Sequence, residues 1–395
     1  MRYTFMNKNK EILDCEIIQM PTGQYEITKV YELKDIAYRP IHLSVKNGII
    51  DRTSLNSWFY DRKIPASRQN IEEILEHYDI KRTDDLILKY FGLSLSDQYW
   101  FKPKELDLRW SEINFFENDF SDDIGNGLFN FNDLSLKSPD NTSDGWLKKT
   151  WKIVDGERVL FKSGSGLYKQ EVFNERVAYE ISKLMGFEHI PYIVTENDGE
   201  YHSACKNFIN ENTELISAYY VMNIDKKPNH ISDFDWFIMS CEKLGIENAR
   251  EKLSDILVLD YIIANTDRHY GNFGIIRNVE NINEFKFAPI FDSGTSMGMN
   301  LSINKLLSNS FESRPFYKDS VKQVKLVNLE KYDFSKLKYV EDLVVDIYSE
   351  NQNMEIENSD RKFYLARSVS NRIKELQQLK QQRKTIEERE EELEL

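Results

Sequence analysis

No stretch of this chain approaches the run of roughly 18 apolar residues that would cross a bilayer. Its first residues, MRYTFMNKNKEILDCEII, lack the apolar core and small-residue cleavage site of a secretory signal. Cysteine is scarce: Cys15, Cys205 and Cys241 lie far apart, which excludes a disulfide framework and a zinc cluster. A positive charge balance is missing too. At a net −14 the chain does not offer the clustered basic surface of a large nucleic-acid footprint, although a local basic patch remains compatible with that total. No internal repeat marks a solenoid or propeller. These absences leave a soluble protein expected in the cytoplasm, with no membrane partner and no strong nucleic-acid signal.

At 395 residues the chain can bury two or three cores. Its aromatic excess, 21 Tyr and 23 Phe, reads as packing material for them. Strand-like pieces are expected at Glu26–Tyr31 and Ile41–Val45. A helix is expected at Asn70–Tyr78, where Ile71, Ile74, Leu75 and Tyr78 recur at helical spacing. An aromatic-rich segment follows, Tyr90 to Trp100, with Asp97 as a cap or turn. The acidic, Asn-rich stretch Glu117–Asn132 reads as a linker. From Leu134 a β-meander begins: strand Trp146–Val154, the turn Asp155-Gly156, strand Arg158–Lys162. Val177, Ile181 and Leu184 then mark a helix that Gly186 ends. A second hairpin pairs Pro191–Glu196 with Tyr201–Phe208. The remainder is mostly helical, with a helix over Glu251–Ala264 and strands at Phe273–Arg277 and Phe285–Phe291. The last helix runs from Arg361 into an acidic end, read as a solvated or frayed face.

The strongest chemical signal is Asn265-Thr266-Asp267-Arg268-His269-Tyr270-Gly271-Asn272, set between a helix and a strand. Phosphoryl transfer is catalysed by positioning and charge neutralisation, so it needs a cation on the phosphates, a carboxylate at the acceptor hydroxyl and metal ligands. Asp267 and Asn272 stand five apart, the interval of base Asp and metal-binding Asn in the kinase pattern H-R-D-x-x-x-x-N. The next hairpin delivers Asp292-Ser293-Gly294, with Asp292 in the place of the Mg²⁺-binding Asp of D-F-G. The competing reading, a polar turn ahead of a strand, explains the first element and leaves the second to coincidence.

D-R-H-x-x-N followed by P-x-x-D resembles the HipA-like serine/threonine kinases, and more distantly the phosphatidylinositol-kinase-like catalytic loop. The resemblance covers residues 130–300 well. It implies that Lys162 in Leu160-Phe161-Lys162 holds the ATP phosphates, and that Asn174-Glu175 opens the helix supplying its carboxylate partner, with Glu171 a rival to Glu175. It also implies that Ser138–Gly145, with Asn141, Thr142, Ser143 and Gly145, is the nucleotide loop. That loop holds one glycine instead of G-x-G-x-x-G, so a phosphate cradle there would use hydroxyl, amide and backbone N–H groups. Cys205-Lys206-Asn207-Phe208 resembles the inter-lobe hinge, with Lys206 and Phe208 at the adenine; an ordinary strand end is the alternative. His269 reads as a loop-packing or Asp-supporting residue beside the nucleotide. Asp260, on an apolar helix face, reads as a hydrogen-bond partner of the catalytic loop, and Arg268 as a stabiliser of that loop or of a phosphate.

The reading is an α+β, two-lobed, protein-kinase-like fold: an N-terminal accessory domain over 1–116, a mainly β small lobe over 117–209 and a mainly α large lobe over 210–395. ATP and Mg²⁺ are the expected cofactors, with Lys162, Asp267, Asn272 and Asp292 catalytic and with Asn272 and Asp292 on the metal. The expected acceptor is a protein Ser/Thr, including one on this chain. Two alternatives stand beside it: a kinase of a small molecule or lipid headgroup, and a kinase-shaped partner of an antitoxin-type protein with little turnover.

Overall fold

The chain begins with an antiparallel sheet in the order β3-β2-β1-β6, built from β1 (Arg2–Asn7), β2 (Lys10–Gln19), β3 (Tyr25–Leu33) and β6 (Tyr99–Pro103). The structure, a computed structural model, describes residues 1–46, 48–62, 87–88, 90–118, 149–197, 199–308 and 310–394, excluding the side chains of Lys46 and of 386–394. The expected helix Asn70–Tyr78, all but the start of the Glu117–Asn132 linker, the strand residues before Lys149 and the loop Ser138–Gly145 lie outside the described residues. Two-residue strands β4 (Val45–Lys46) and β5 (Ile49–Ile50) lead into α1 (Arg52–Tyr60), whose first turn Asp51 caps by accepting from Ser54 N at 3.3 Å. Phe5, Leu13, Trp58, Phe59 and Phe101 make the core of this domain. The strand expected at Ile41–Val45 starts only at Val45. Pro40 turns the chain ahead of it, with Leu43 N on Pro40 O at 3.0 Å.

A second sheet, ordered β7-β8-β10-β9, forms the small lobe from β7 (Lys149–Val154), β8 (Glu157–Ser163), β9 (Ile193–Asn197) and β10 (Glu200–Lys206). Asp155 and Gly156 both take positive φ, 52° and 79°, as a two-residue hairpin turn requires. Alternation along β8 turns Arg158, Leu160 and Lys162 to the buried side. α2 (Gln170–Met185) packs beneath with Phe173, Val177 and Ile181 inward. Gly186 ends it at φ 82°, and Phe187 N reaches back to Ser182 O at 2.8 Å. Asn174-Glu175 therefore do not open this helix: it starts at Gln170, which puts both residues in its second turn.

The large lobe holds α3 (Asp233–Lys243), α4 (Ala249–Ile263), α5 (Ser320–Val324), α6 (Val340–Ser349) and α7 (Arg361–Glu394), with a sheet ordered β11-β12-β13. Its strands are β11 (Thr213–Ser217), β12 (Gly274–Asn278) and β13 (Phe285–Phe287). α4 is buried on nearly every face from Leu253 to Ile263, the mark of a central helix. β13 is shorter than the expected Phe285–Phe291, and Pro289, which has no N–H to give a ladder, lies just past its end. Beyond it the chain crosses to the small lobe: Ile290 bridges His189, with Ile190 N on Ile290 O at 2.9 Å. Among the described residues no helix is long and apolar enough to cross a membrane.

The N-terminal domain grips the junction between the lobes. Gln98 Nε2 donates to Asn210 O at 2.9 Å and Thr213 O at 2.6 Å, and Leu215 N donates to Ser96 O at 2.8 Å. Arg277 on β12, ion-paired with buried Glu214, donates to Tyr99 Oη at 2.5 Å and Arg39 O at 3.1 Å.

Candidate active site

Lys162 sits on the buried side of β8 with only 4% of its surface exposed, and its ammonium meets Glu175 Oε1 at 2.9 Å and Asp292 Oδ1 at 2.8 Å. Burial would lower the ammonium's pKa, but the Asp292 and Glu175 carboxylates outweigh it and hold the group well above the lysine range. Burial likewise pushes the Asp292 carboxyl up, and Lys162, Lys149 and Arg268 reverse this to leave it well below the usual carboxylate range. Both groups are charged at neutral pH. Glu171, one turn before Glu175, instead accepts from Ser165 N at 3.1 Å and from Ser165 Oγ. The choice between the two glutamates is thus made by geometry: Glu175 pairs with the lysine.

The loop between α4 and β12 carries Asp267 and Asn272. Asp260, near the end of α4, takes Arg268 Nε at 2.9 Å, Arg268 Nη2 at 3.0 Å and Asn265 Nδ2 at 2.9 Å. Asn265 Oδ1 accepts from Asp267 N at 3.0 Å, and Asn272 Nδ2 donates to Asp267 O at 3.0 Å. Arg268 is fully buried. It stitches the loop to the following segment through Phe291 O at 2.6 Å and Ser293 Oγ at 3.2 Å, so it stabilises the loops and does not face the cleft. His269 Nδ1 accepts from Gly271 N at 3.0 Å, a contact that shapes the loop.

Asp292 adopts φ 54°, a left-handed conformation that costs a non-glycine residue about 1–3 kcal/mol and tends to persist where surroundings over-determine it. Those surroundings are Lys162, Tyr192 and the buried polar residues after it. Ser293 N donates to Glu175 Oε2 at 2.9 Å, and Asn174 Nδ2 clamps Gly294 O at 2.7 Å and Ser296 O at 2.8 Å. A Cβ at Gly294 would lie 3.3 Å from both Glu171 O and Glu175 Oε1, which accounts for glycine there. Serine in place of the D-F-G phenylalanine has a physical reason as well: the position is buried among hydrogen-bonding groups, Arg268, His189 and Glu175.

His189 belongs to this network and supplies a pH prediction. Burial brings its imidazole down to about 4 from the ordinary 6.5, and its ring nitrogens face Ile190 O at 2.7 Å and Ser293 Oγ at 3.4 Å. The folded chain holds it neutral, whereas the unfolded chain protonates it near 6.5. Its contribution is therefore complete above that pH and is lost as pH falls toward 4, about 3 kcal/mol in full. Urea unfolding at pH 7 and pH 5 should show His189→Gln losing about 2 kcal/mol less than wild type between the two. An equal loss in both would remove His189 from the balance.

A cleft of about 780 Å³ runs from these charges to the hinge. Lys162, Asp292, Asn272 and His269 line one part, and Leu160, Ile190, Cys205, Phe208 and Phe291 give it apolar walls suited to a flat ring. Lys206 reaches the cleft at the hinge, but its ammonium turns outward to Glu157. Asp267 does not line it; its side chain is 44% exposed and meets Arg314 Nη1 at 3.4 Å. Asn141, Thr142, Ser143 and Gly145 lie outside the described residues. Sequence reasoning passed over His189, Tyr192 and Arg314, none of which carries a local signature, and it quoted Asn265 and Asn174 only as parts of motifs, with no role given to either. Among the described residues no three His, Cys, Asp or Glu side chains converge as a metal cage. Asp292 and Asn272, whose side chains carry the hard oxygens that Mg²⁺ takes beside substrate phosphates, both line the cleft.

Fold and site together define a kinase-like protein. Residues 140–388 match the HipA-like C-terminal domain, and the chain belongs to that family. It is similar to the serine/threonine-protein kinase CtkA of Helicobacter pylori (strain J99 / ATCC 700824), 27% identical over 151 residues, which are 36% of this chain and 46% of CtkA. The match thus spans about half the length of that curated relative. Among solved structures, HipA of Shewanella oneidensis MR-1, in complex with HipB and operator DNA, superposes with a TM-score of 0.56 at 12% identity, over 96% of this chain and 99% of HipA. The H. pylori proinflammatory kinase CtkA gives 0.40 at 18% identity, over 57% of this chain and 86% of its own.

Proposed function

We propose that the protein is an ATP- and Mg²⁺-dependent serine/threonine protein kinase able to phosphorylate itself. The observation that carries this is the buried Lys162 held between Glu175 and Asp292 at the head of the cleft. Lys162 neutralises phosphate charge, and Glu175 fixes its position. Asn272 and Asp292 hold Mg²⁺, which when bound neutralises the phosphate oxygens. Asp267 orients the acceptor hydroxyl and takes its proton as the oxygen bonds the γ-phosphorus and the bond to ADP breaks. Phe208 and the hinge backbone meet the adenine. We extend the reading to a cytoplasmic protein with an antitoxin-type partner, because the Shewanella HipA of like fold is bound to HipB.

Labelled γ-phosphate supplied as Mg²⁺·ATP should appear on protein Ser/Thr and on the chain itself, and Asp267→Asn should slow this about a hundredfold or more. Wild-type transfer in that variant would remove Asp267 from the chemistry. Label confined to small-molecule or lipid products would favour the other kinase class.

A further inference from the structure

Asp267 has a neighbour that the proposed chemistry does not use. Arg314 is 47 residues further along the chain, its side chain is 59% exposed, and its Nη1 stands 3.4 Å from Asp267 Oδ1. It is not a casual surface residue, because the turn that presents it is built onto the catalytic loop. Gln323 on α5, only 3% exposed, donates to Arg314 O at 2.5 Å and accepts from Phe316 N at 3.0 Å and Tyr317 N at 3.2 Å. Ser313 closes the turn, N to Lys318 O at 2.8 Å and Oγ to Tyr317 O at 2.7 Å. Phe316 packs edge-on to Tyr270, 6.0 Å between ring centroids, and to Phe234 at 5.4 Å. A rigid turn thus delivers a flexible cation to the carboxylate that meets the acceptor.

The ion pair itself is long and exposed, the kind that contributes little and is readily exchanged. A guanidinium has five N–H donors in a planar fork, so one contact with Asp267 leaves donors able to reach a second anion beside it. The local charge points the same way. Residues 303–325 carry five Lys or Arg against two Asp or Glu, a basic island on a chain of net charge −14.

We propose that Arg314 is a specificity-determining residue that selects acceptors bearing a carboxylate side chain next to the reacting Ser/Thr. The proposal rests on the kinase reading above and names its substrate class: acidic peptide segments. Arg314 binds the neighbouring carboxylate, and Asp267 keeps an oxygen for the hydroxyl.

Three Ser peptides of one sequence, with flanking Asp, Asn or Lys, test this with Mg²⁺·[γ-³²P]ATP. Wild type should prefer the Asp peptide over the Asn peptide about tenfold in kcat/KM, mostly through KM, as one charge-assisted hydrogen bond allows. Arg314→Glu should invert the order and favour the Lys peptide, whereas Arg314→Lys should keep a weaker acidic preference. A merely structural role for Arg314 would lower all three rates without changing their order. Equal use of the three peptides by wild type, or an acidic preference that survives in Arg314→Glu, overturns the proposal and leaves the kinase reading standing. No transfer to any peptide or to the chain itself removes both.

Discussion

Lys162→Met should reduce phosphoryl transfer about a thousandfold, as loss of a preorganised charge at a transferring group does. The same change should destabilise the protein without nucleotide by about 3–5 kcal/mol, because it breaks a buried ion pair from one side. Both effects have one origin. The ammonium sits between two carboxylates, one of them, Glu175, 2% exposed, and a thioether cannot compensate either. The nucleotide should report the loss directly. A ligand that binds only the folded form stabilises it by RT ln(1 + [L]/Kd), about 2.7 kcal/mol at a hundredfold excess over Kd. Mg²⁺·ATP should therefore raise the wild-type melting temperature, and Lys162→Met should lose most of that rise. Urea unfolding separates the two roles: Lys162→Met/Glu175→Gln, which removes the stranded carboxylate, should regain much of the stability and none of the transfer. An unchanged Mg²⁺·ATP shift in Lys162→Met would move the phosphate contact elsewhere, with Lys149 and Lys169 the first to test.

The pieces of this site that could be read from sequence are those whose chemistry fixes a local interval. Asp267 and Asn272 are five residues apart within one loop, and Lys162 follows a turn whose glycine advertises it. What stayed open, or was passed over, depends on contacts that no local interval records. Glu171 and Glu175 lie on one face of α2 a turn apart, and both are buried, so spacing could not decide which meets Lys162. Ser165 decides it by taking Glu171. Asn174 looked like a helix opener. It is instead the clamp on Gly294 and Ser296, 120 and 122 residues away. In the N-terminal domain the β1–β2 hairpin turns at Lys8-Asn9, with Lys8 at φ 48° and no glycine to mark it. β1 is buried at five of its six positions and so shows no alternation either. The fold class was legible because hairpins and helices around the motif carry ordinary turn and cap signals; the packing of the N-terminal domain on the hinge was not.

Asp260→Ala should cost about 3–5 kcal/mol of stability and most of the phosphoryl transfer, although Asp260 does not line the cleft. The cost follows from what it leaves behind. Arg268 is fully buried, its pairing with Asp260 keeps its charged form favourable despite burial, and Asn265 would lose a partner in the same step. Asn265 orients Asp267 through its backbone, and Arg268 ties the loop to Phe291 and Ser293, the residues on either side of Asp292. Loss of one carboxylate therefore loosens both halves of the site. Amide hydrogen exchange should rise over residues 264–273 and 291–297, while the N-terminal sheet stays as protected as in wild type. Asp260→Asn keeps an acceptor and should cost less, with transfer falling through kcat more than through KM. Asp260→Leu/Arg268→Met, which removes the charge pair together, should recover stability without recovering transfer. If Asp260→Ala unfolded at the wild-type urea midpoint and kept wild-type kcat, the buried pair would be no support for the loop, and the positioning of Asp267 would have to come from its other contacts, His269 N, Asn272 and Arg314 among them.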